Sequence, residues 1–111
     1  MNRLLCETAD VPDGGKLALQ PEGSPELVVF NISGTFYVLA DTCSHGAAAL
    51  SEGDLIGCEI ECPLHQGRFD VTTGAATRRP AKKPQPMYRC QVEDGRLYLI
   101  DADESADAKT A

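Results

Sequence analysis

The sequence lacks the features that would direct it to a membrane or to a nucleic acid. No apolar run approaches the length of a membrane span, and the N-terminus has no hydrophobic stretch long enough for a signal peptide. Acidic residues outnumber basic ones by 17 to 10, and the net charge of −7 disfavours nucleic acids and anionic membrane surfaces as partners. These absences predict a cytoplasmic protein that docks on other proteins.

Other absences restrict the chemistry that the chain can perform. There is no Gly-x-Gly-x-x-Gly fingerprint, and a chain of 111 residues has no room for a flavin domain. The five cysteines form an odd set. In a chain without an export signal, an odd set favours thiols and metal ligands over a disulfide framework.

The chain also lacks a long helical period and an internal repeat. Turn formers such as Ser33-Gly34 and Asp94-Gly95 separate short runs of branched and aromatic residues. This texture predicts an all-β, antiparallel sandwich or barrel-like fold. The predicted strands cover residues 4–8, 16–20, 27–32, 35–39, 88–92 and 96–100.

The domain organisation follows from changes in this texture. We expect a single domain over residues 1–103, with a small inserted subdomain of loops and short strands over about residues 42–70. Residues 77–86 contain three prolines and predict an extended loop. The polar, acid-rich residues 104–111 predict a flexible tail.

Two short ligand motifs lie in the inserted subdomain, Cys43-Ser44-His45-Gly46 and Cys62-Pro63-Leu64-His65-Gln66-Gly67. Together they contain both histidines of the protein, and two thiols with two imidazoles at this spacing indicate a metal site. Structural zinc also uses such ligand sets, although Cys-x-His is an unusual first half for a zinc finger and no helix follows. Glycine after each histidine permits tight loops whose N–H groups turn inward.

These two motifs, continued by Arg68-Phe69-Asp70, resemble the cluster-binding boxes of Rieske [2Fe–2S] proteins. The resemblance extends over roughly residues 4–100 and includes the Ser51-Glu52-Gly53 turn between the boxes. It implies a Rieske-type fold and one [2Fe–2S] cluster. In that family pattern Cys43 and Cys62 bind one iron, and His45 and His65 bind the other. Two ferric ions, two sulfides and two thiolates sum to zero charge, so an electron is added more easily than to a four-thiolate centre.

Four positions near the boxes predict a low reduction potential. High-potential respiratory Rieske proteins carry an extra disulfide where this chain has Ala48 and Leu64. They also place hydroxyl groups near the cluster sulfurs, where this chain has Gly67 and Phe69. Hydrogen bonds to sulfur stabilise the reduced cluster, so their loss lowers the potential.

The resemblance therefore points to the soluble ferredoxin of a bacterial aromatic-ring-hydroxylating dioxygenase system. Such a ferredoxin passes single electrons from an NADH-dependent flavoprotein reductase to the terminal oxygenase and is not itself an enzyme. With both histidines assigned to the cluster, none remains for a mononuclear iron site that could activate oxygen. The alternatives are a Rieske-type small subunit of another oxidoreductase, such as a nitrite reductase, and a zinc-binding structural module.

The remaining expectations concern surfaces and packing. Pro84 and Pro86 resemble the loop that covers the cluster in this family. Phe69 and Cys90 are expected to pack in the interior, and neither Cys6 nor Cys58 is expected to bind metal. Charged residues suggest either a docking rim for redox partners or ordinary solvated loops and strands. The basic ones are Arg78, Arg79, Lys82 and Lys83, and the acidic ones are Glu59, Glu61 and Asp70.

Overall fold

The computed structural model describes residues 3–43, 48–63, 66–79, 81 and 83–100, and these form antiparallel strands in three sheets. The predicted tail lies outside the described residues. The sheets have the orders β1-β11-β10, β2-β3-β4-β9 and β5-β6-β7-β8. The strands are β1 (Arg3–Glu7), β2 (Lys16–Leu19), β3 (Leu27–Ile32), β4 (Thr35–Ala40), β5 (Asp54–Ile56), β6 (Glu59–Glu61), β7 (Arg68–Asp70), β8 (Ala76–Arg78), β9 (Met87–Tyr88), β10 (Cys90–Glu93) and β11 (Arg96–Leu99).

Strand β3 is buried on both faces and separates two hydrophobic cores. Because side chains alternate along a strand, Val28 and Phe30 enter one core while Leu27 and Val29 enter the other. The first, which we call the site core, also contains apolar residues of the sheet β5-β6-β7-β8. The second, the base core, also contains Leu97 and Leu99 of β11, β11 being the middle strand of the sheet β1-β11-β10. The predicted all-β, antiparallel fold is confirmed.

Two hairpin turns have the backbone that their sequences predict. Ser33 and Gly34 have φ angles of 55° and 90°, and Asp94 and Gly95 have φ angles of 54° and 76°. Two successive positive φ angles match the twist of the flanking strands, and glycine adopts them without a steric penalty. These turns place β3 beside β4 and β10 beside β11.

Two stretches of the chain differ from the expected strand boundaries. The extended loop predicted from residue 77 begins later, because Thr77 and Arg78 belong to β8, which pairs with β7. The strand predicted over 88–92 is divided, since Tyr88 pairs with Val38 of β4 whereas Cys90 pairs with Leu99 of β11. The chain thus changes sheets between β9 and β10, a feature that hydrophobic alternation does not reveal.

Among the residues that the structure describes, no helix is long and apolar enough to cross a membrane. The helical segments found there are two 3-10 turns, Thr8–Asp10 and Leu50–Glu52. The second turn lies between the two ligand motifs and is capped by Gly53.

Candidate metal centre

Two loops of equal length carry the two ligand motifs, and each closes in the same way. In the first loop, residues 43–48, the N–H of Cys43 donates to the carbonyl of Ala48 at 2.8 Å. In the second, residues 62–67, the N–H of Cys62 donates to the carbonyl of Gly67 at 2.7 Å. Antiparallel pairing flanks both loops, Thr42 with Ala49 and Glu61 with Arg68. Each cysteine is therefore the first residue of a hairpin tip whose stem holds it in place.

Both cysteines point into the protein. Cys43 is 3% exposed and Cys62 is 1% exposed, and both belong to the site core. Phe69 is fully buried in the same core, as predicted. Thiolate is the form of cysteine that binds metal, and an apolar, water-poor surrounding suits a ligand that a metal ion neutralises. These two sulfurs thus lie where a metal group could be held against the core.

The histidines lie in the same two loops by sequence, His45 two residues after Cys43 and His65 three residues after Cys62. Both imidazoles lie outside the described residues, as does Leu64. The structure describes the paired residues that flank each histidine-containing loop. The cysteine that begins each loop packs into the site core, although the first loop follows β4 and the second joins β6 to β7 of another sheet.

Glycine in the second loop serves a purpose other than the expected one. The residue with a positive φ angle there is Gln66, at 61°, whereas Gly67 is not in the left-handed region. A Cβ atom at Gly67 would lie only 3.0 Å from both the Cβ and the backbone nitrogen of Ala81. Gly67 is thus needed for the close packing of the proline-rich segment on the ligand loop, and not for a turn. Gly46 lies outside the described residues.

A buried carboxylate, which the sequence reasoning missed, braces the first ligand loop. Asp41 is 4% exposed and accepts hydrogen bonds from the backbone N–H of Ser51 at 2.7 Å and from its hydroxyl at 2.9 Å. The carbonyl of Asp41 also accepts from Leu50 N–H at 2.7 Å. Asp41 thereby ties the strand that leads to Cys43 to the 3-10 turn. The spacing from Asp41 to Ser51 follows no helical or strand period, so the sequence carried no signal for this contact.

The predicted acidic and basic patches partly neutralise one another. On the exposed side of the sheet β5-β6-β7-β8, the Arg68 guanidinium lies 3.5 Å from the Glu59 carboxylate and 3.4 Å from that of Glu61. Arg78 adds a contact of 3.7 Å to Glu61. Asp70 instead accepts hydrogen bonds from Thr72 within its own turn. These carboxylates therefore do not form an unpaired acidic patch opposite the basic run.

The described cations of the basic run are exposed. They are Arg78, Arg79 and Lys83, and the neighbouring Pro84 and Pro86 are exposed as well. Lys82 lies outside the described residues. Exposed cations beside a proline-containing segment suit the edge of a docking surface. Ion pairs between exposed side chains usually add little to the stability of the fold.

The other three cysteines lie away from the loops. Cys58 is exposed at the turn between β5 and β6. Cys6 and Cys90 lie on the two strands that flank β11 and pack against the base core, as predicted for Cys90. Burial, with a smaller contribution from Cys6, raises the pKa of the Cys90 thiol from its ordinary 9.0 to about 11. Cys90 is therefore a neutral packing residue at physiological pH.

This pKa predicts a loss of stability at alkaline pH. The folded state holds the Cys90 proton more tightly than the unfolded chain does, so the benefit is complete below pH 9.0 and disappears as the pH rises through about 11. We expect the free energy of unfolding in urea to fall as the pH rises from 9.0 to about 11. The Cys90→Ala variant should show a shallower fall, while Cys58→Ala should keep the wild-type slope. A residual slope is expected in Cys90→Ala because burial also raises the pKa values of Cys6 and Tyr88. Equal slopes in both variants would contradict the assignment.

Fold and site together define a class of protein. An all-β chain that presents two cysteine-headed loops of equal length, with both thiols buried in one core, has the arrangement expected of a metal-centre protein. The Rieske [2Fe–2S] domain family matches residues 2–89, and the chain belongs to this family. Membership implies one Rieske-type [2Fe–2S] cluster, which decides between the cluster and structural zinc. The buried sulfur pair and the tightly closed loops fit that group.

Individual relatives agree with this assignment. The chain is 44% identical over 101 residues to the 3-phenylpropionate/cinnamic acid dioxygenase ferredoxin subunit of Escherichia coli K12, covering 89% of this chain and 93% of that one. The structure matches the Sphingomonas yanoikuyae B1 ferredoxin with a TM-score of 0.87 and 39% identity, covering 91% of this chain and 99% of that one. A chain from the complex of reduced oxygenase and oxidised ferredoxin in carbazole 1,9a-dioxygenase gives a TM-score of 0.84 and 36% identity, covering 88% and 91%.

Proposed function

We propose that this chain is the Rieske ferredoxin of an aromatic-ring-hydroxylating dioxygenase system. It takes single electrons from an NADH-dependent flavoprotein reductase and delivers them to the terminal oxygenase. The similarity to dioxygenase ferredoxins over nearly the full length of both chains, with both ligand motifs intact, carries the proposal. We place the chain in the cytoplasm, since its proposed electron source is NADH.

The proposed ligand set is Cys43 and Cys62 on one iron and His45 and His65 on the other. The two cysteines begin their loops and point into the site core, and each histidine follows its cysteine within the same loop of the sequence. Cys43 and Cys62 would therefore hold the cluster from the side of the core. When bound, the cluster supplies a centre that accepts and releases one electron.

The surroundings of the second loop support a low reduction potential. Phe69 is fully buried and has no hydroxyl, and Gly67 lies so close to Ala81 that a larger side chain could not be accommodated there without movement. Neither position therefore offers the cluster sulfurs a side-chain hydrogen bond, which would stabilise the reduced form. We expect a midpoint potential near the lower end of the Rieske range, about −150 mV. A potentiometric titration followed at the visible absorption bands measures it, and a value as positive as that of respiratory Rieske proteins would contradict the argument.

The function is tested by reconstituting the electron path. The purified chain should be red-brown and contain about two irons and two acid-labile sulfides per molecule. With an NADH-dependent flavoprotein reductase and a terminal oxygenase from the same organism, product formation should require this chain. The control is the Cys62→Ser variant, which removes a proposed ligand and should leave the reductase and oxygenase uncoupled. A colourless wild-type protein, or product formation at the same rate without it, would contradict the proposed function.

A further inference from the structure

The proline-rich segment meets β4 in a register that places two backbone carbonyls opposite prolines. Strand β9 pairs with β4 through Val38–Tyr88 and Leu39–Met87. Continuing this antiparallel register places Ala40 opposite Pro86 and Thr42 opposite Pro84. The N–H of Ala40 does donate to the carbonyl of Pro86 at 2.9 Å. The return bond cannot form, because proline has no N–H, and the same holds for Pro84 opposite Thr42.

One side chain supplies both missing donors. The Nε2 atom of Gln85 lies 2.7 Å from the carbonyl oxygen of Ala40 and 2.6 Å from that of Thr42. A primary amide has two N–H groups, one for each carbonyl. Gln85 is only 2% exposed, so these bonds are made away from water, where an unsatisfied carbonyl is costly. The match between two absent backbone donors and two amide donors explains why a polar side chain is buried here.

The same residue joins this junction to the region behind the second loop. The backbone N–H of Gln85 donates to the carbonyl of Gly74 at 2.7 Å, and the N–H of Gly74 donates to the carbonyl of Asp70 at 2.6 Å. Gln85 thus links the stretch 40–42, which leads directly into Cys43, with the turn that follows β7. Neither link depends on a residue within the ligand loops themselves.

We propose that Gln85 is a positioning residue for the first ligand loop, its amide replacing the N–H groups that Pro84 and Pro86 lack. The proposal rests on the proposed function in one respect, namely that the loop beginning at Cys43 holds the cluster. Pro84 and Pro86 restrict the backbone of the proline-rich segment, but they lack the N–H groups that would bond this segment to β4. Gln85 restores the attachment, and the backbone on the N-terminal side of Cys43 is thereby held in place.

The test compares cluster release in matched variants of the holoprotein. Gln85→Leu keeps a side chain of similar size but removes both donors. Asn31→Leu is the control, because Asn31 is a buried amide that also donates to a carbonyl, Val11 at 2.8 Å, but lies at the start of the β3–β4 turn. We expect bleaching of the visible absorption by an iron chelator to be about thirtyfold faster in Gln85→Leu, equivalent to about 2 kcal/mol for two lost hydrogen bonds. Asn31→Leu should remain within about twofold of wild type.

A rescue experiment separates donor replacement from simple loss of packing. Adding Pro86→Ala to Gln85→Leu restores one backbone N–H opposite Ala40, and release should slow by roughly fivefold relative to Gln85→Leu alone. Pro86→Ala in the wild-type background should bring no such slowing, since the carbonyl is already bonded. Amide exchange of residues 40–43 should be faster in Gln85→Leu and unchanged in Asn31→Leu.

Three results would overturn the inference: release from Gln85→Leu within about twofold of wild type, equal acceleration in Asn31→Leu, or no rescue by Pro86→Ala. A wild-type chain that never acquires a cluster would contradict the proposed function instead. In that case, unchanged amide exchange at residues 40–43 in Gln85→Leu would overturn this inference separately, and faster exchange there would support it.

Discussion

Replacing either histidine by alanine is expected to abolish the Rieske centre. Each of His45→Ala and His65→Ala removes one of the two imidazoles proposed to bind the same iron. The chain contains no third histidine that could replace it. An iron left with an incomplete ligand set is lost or bound differently, so the electron paramagnetic resonance signal of the reduced Rieske cluster should disappear. Iron content should fall below about one-tenth of the wild-type value, since ligand replacement weakens metal binding by tenfold or more.

The control is a change at a cysteine outside the two loops. Cys58 is exposed and lies in a turn between β5 and β6, so Cys58→Ser should retain the full iron content and an unchanged spectrum. A histidine variant with a normal spectrum would refute the ligand set, and so would a Cys58→Ser variant that loses its iron. Circular dichroism of each variant establishes whether the β-sheet fold survives without the cluster.

The second large effect is expected at Gly53. Its φ angle of −88° is accessible to any residue, so conformational freedom is not the reason for glycine. A Cβ atom there would instead collide with the carbonyl oxygen of Glu61, the residue before Cys62. Because the obstacle is backbone, the strand itself must move. Gly53→Ala should lower the free energy of unfolding by roughly 3 kcal/mol and reduce cluster content, because the displaced Glu61 adjoins the proposed ligand Cys62.

Gly57→Ala provides the matched comparison. Gly57 lies in the next turn, has a φ angle of 63°, and nothing lies within 4 Å of the position of a Cβ atom. Only the cost of a left-handed alanine, about 1 kcal/mol, should therefore be lost. Urea unfolding and iron analysis of the two variants measure the difference. If Gly57→Ala lowered the free energy of unfolding as much as Gly53→Ala does, the close approach of Gly53 to Glu61 would not be the main cause of the loss.

The parts of the fold that follow from local sequence were predicted well. The hairpins around Ser33-Gly34 and Asp94-Gly95 were found from residues whose backbone preferences act within four positions. The strand near the N-terminus and the packing of Cys90 against the base core also followed from composition and alternation. Local rules failed where the chain changes sheets after Tyr88 and where Thr77 and Arg78 form part of β8, since both outcomes depend on pairing with other strands.

In the candidate site, too, some features could be predicted from short stretches of sequence and others could not. Its residue types were visible at once, because Cys43, His45, Cys62 and His65 form two compact motifs of unusual composition. Its supports were not visible. Asp41 and Gln85 are polar residues whose burial could not be inferred from the sequence. Asp41 accepts a hydrogen bond from the Ser51 hydroxyl, and Gln85 donates to two carbonyls that face prolines. Nothing near either residue in the sequence indicates these partners.

The sequence by itself thus determined the candidate ligand types, the turns and the all-β class, because thiol and imidazole chemistry and glycine backbone preferences are properties of short segments. The tertiary structure alone decided how the loops are held. Gly67 proved necessary for contact with Ala81 and not for a turn, and the charges of Glu59 and Glu61 proved to be shared with Arg68. Such contacts join segments that are brought together only by the packing of the sheets. Their contribution to stability depends on burial and distance, which cannot be read from the sequence.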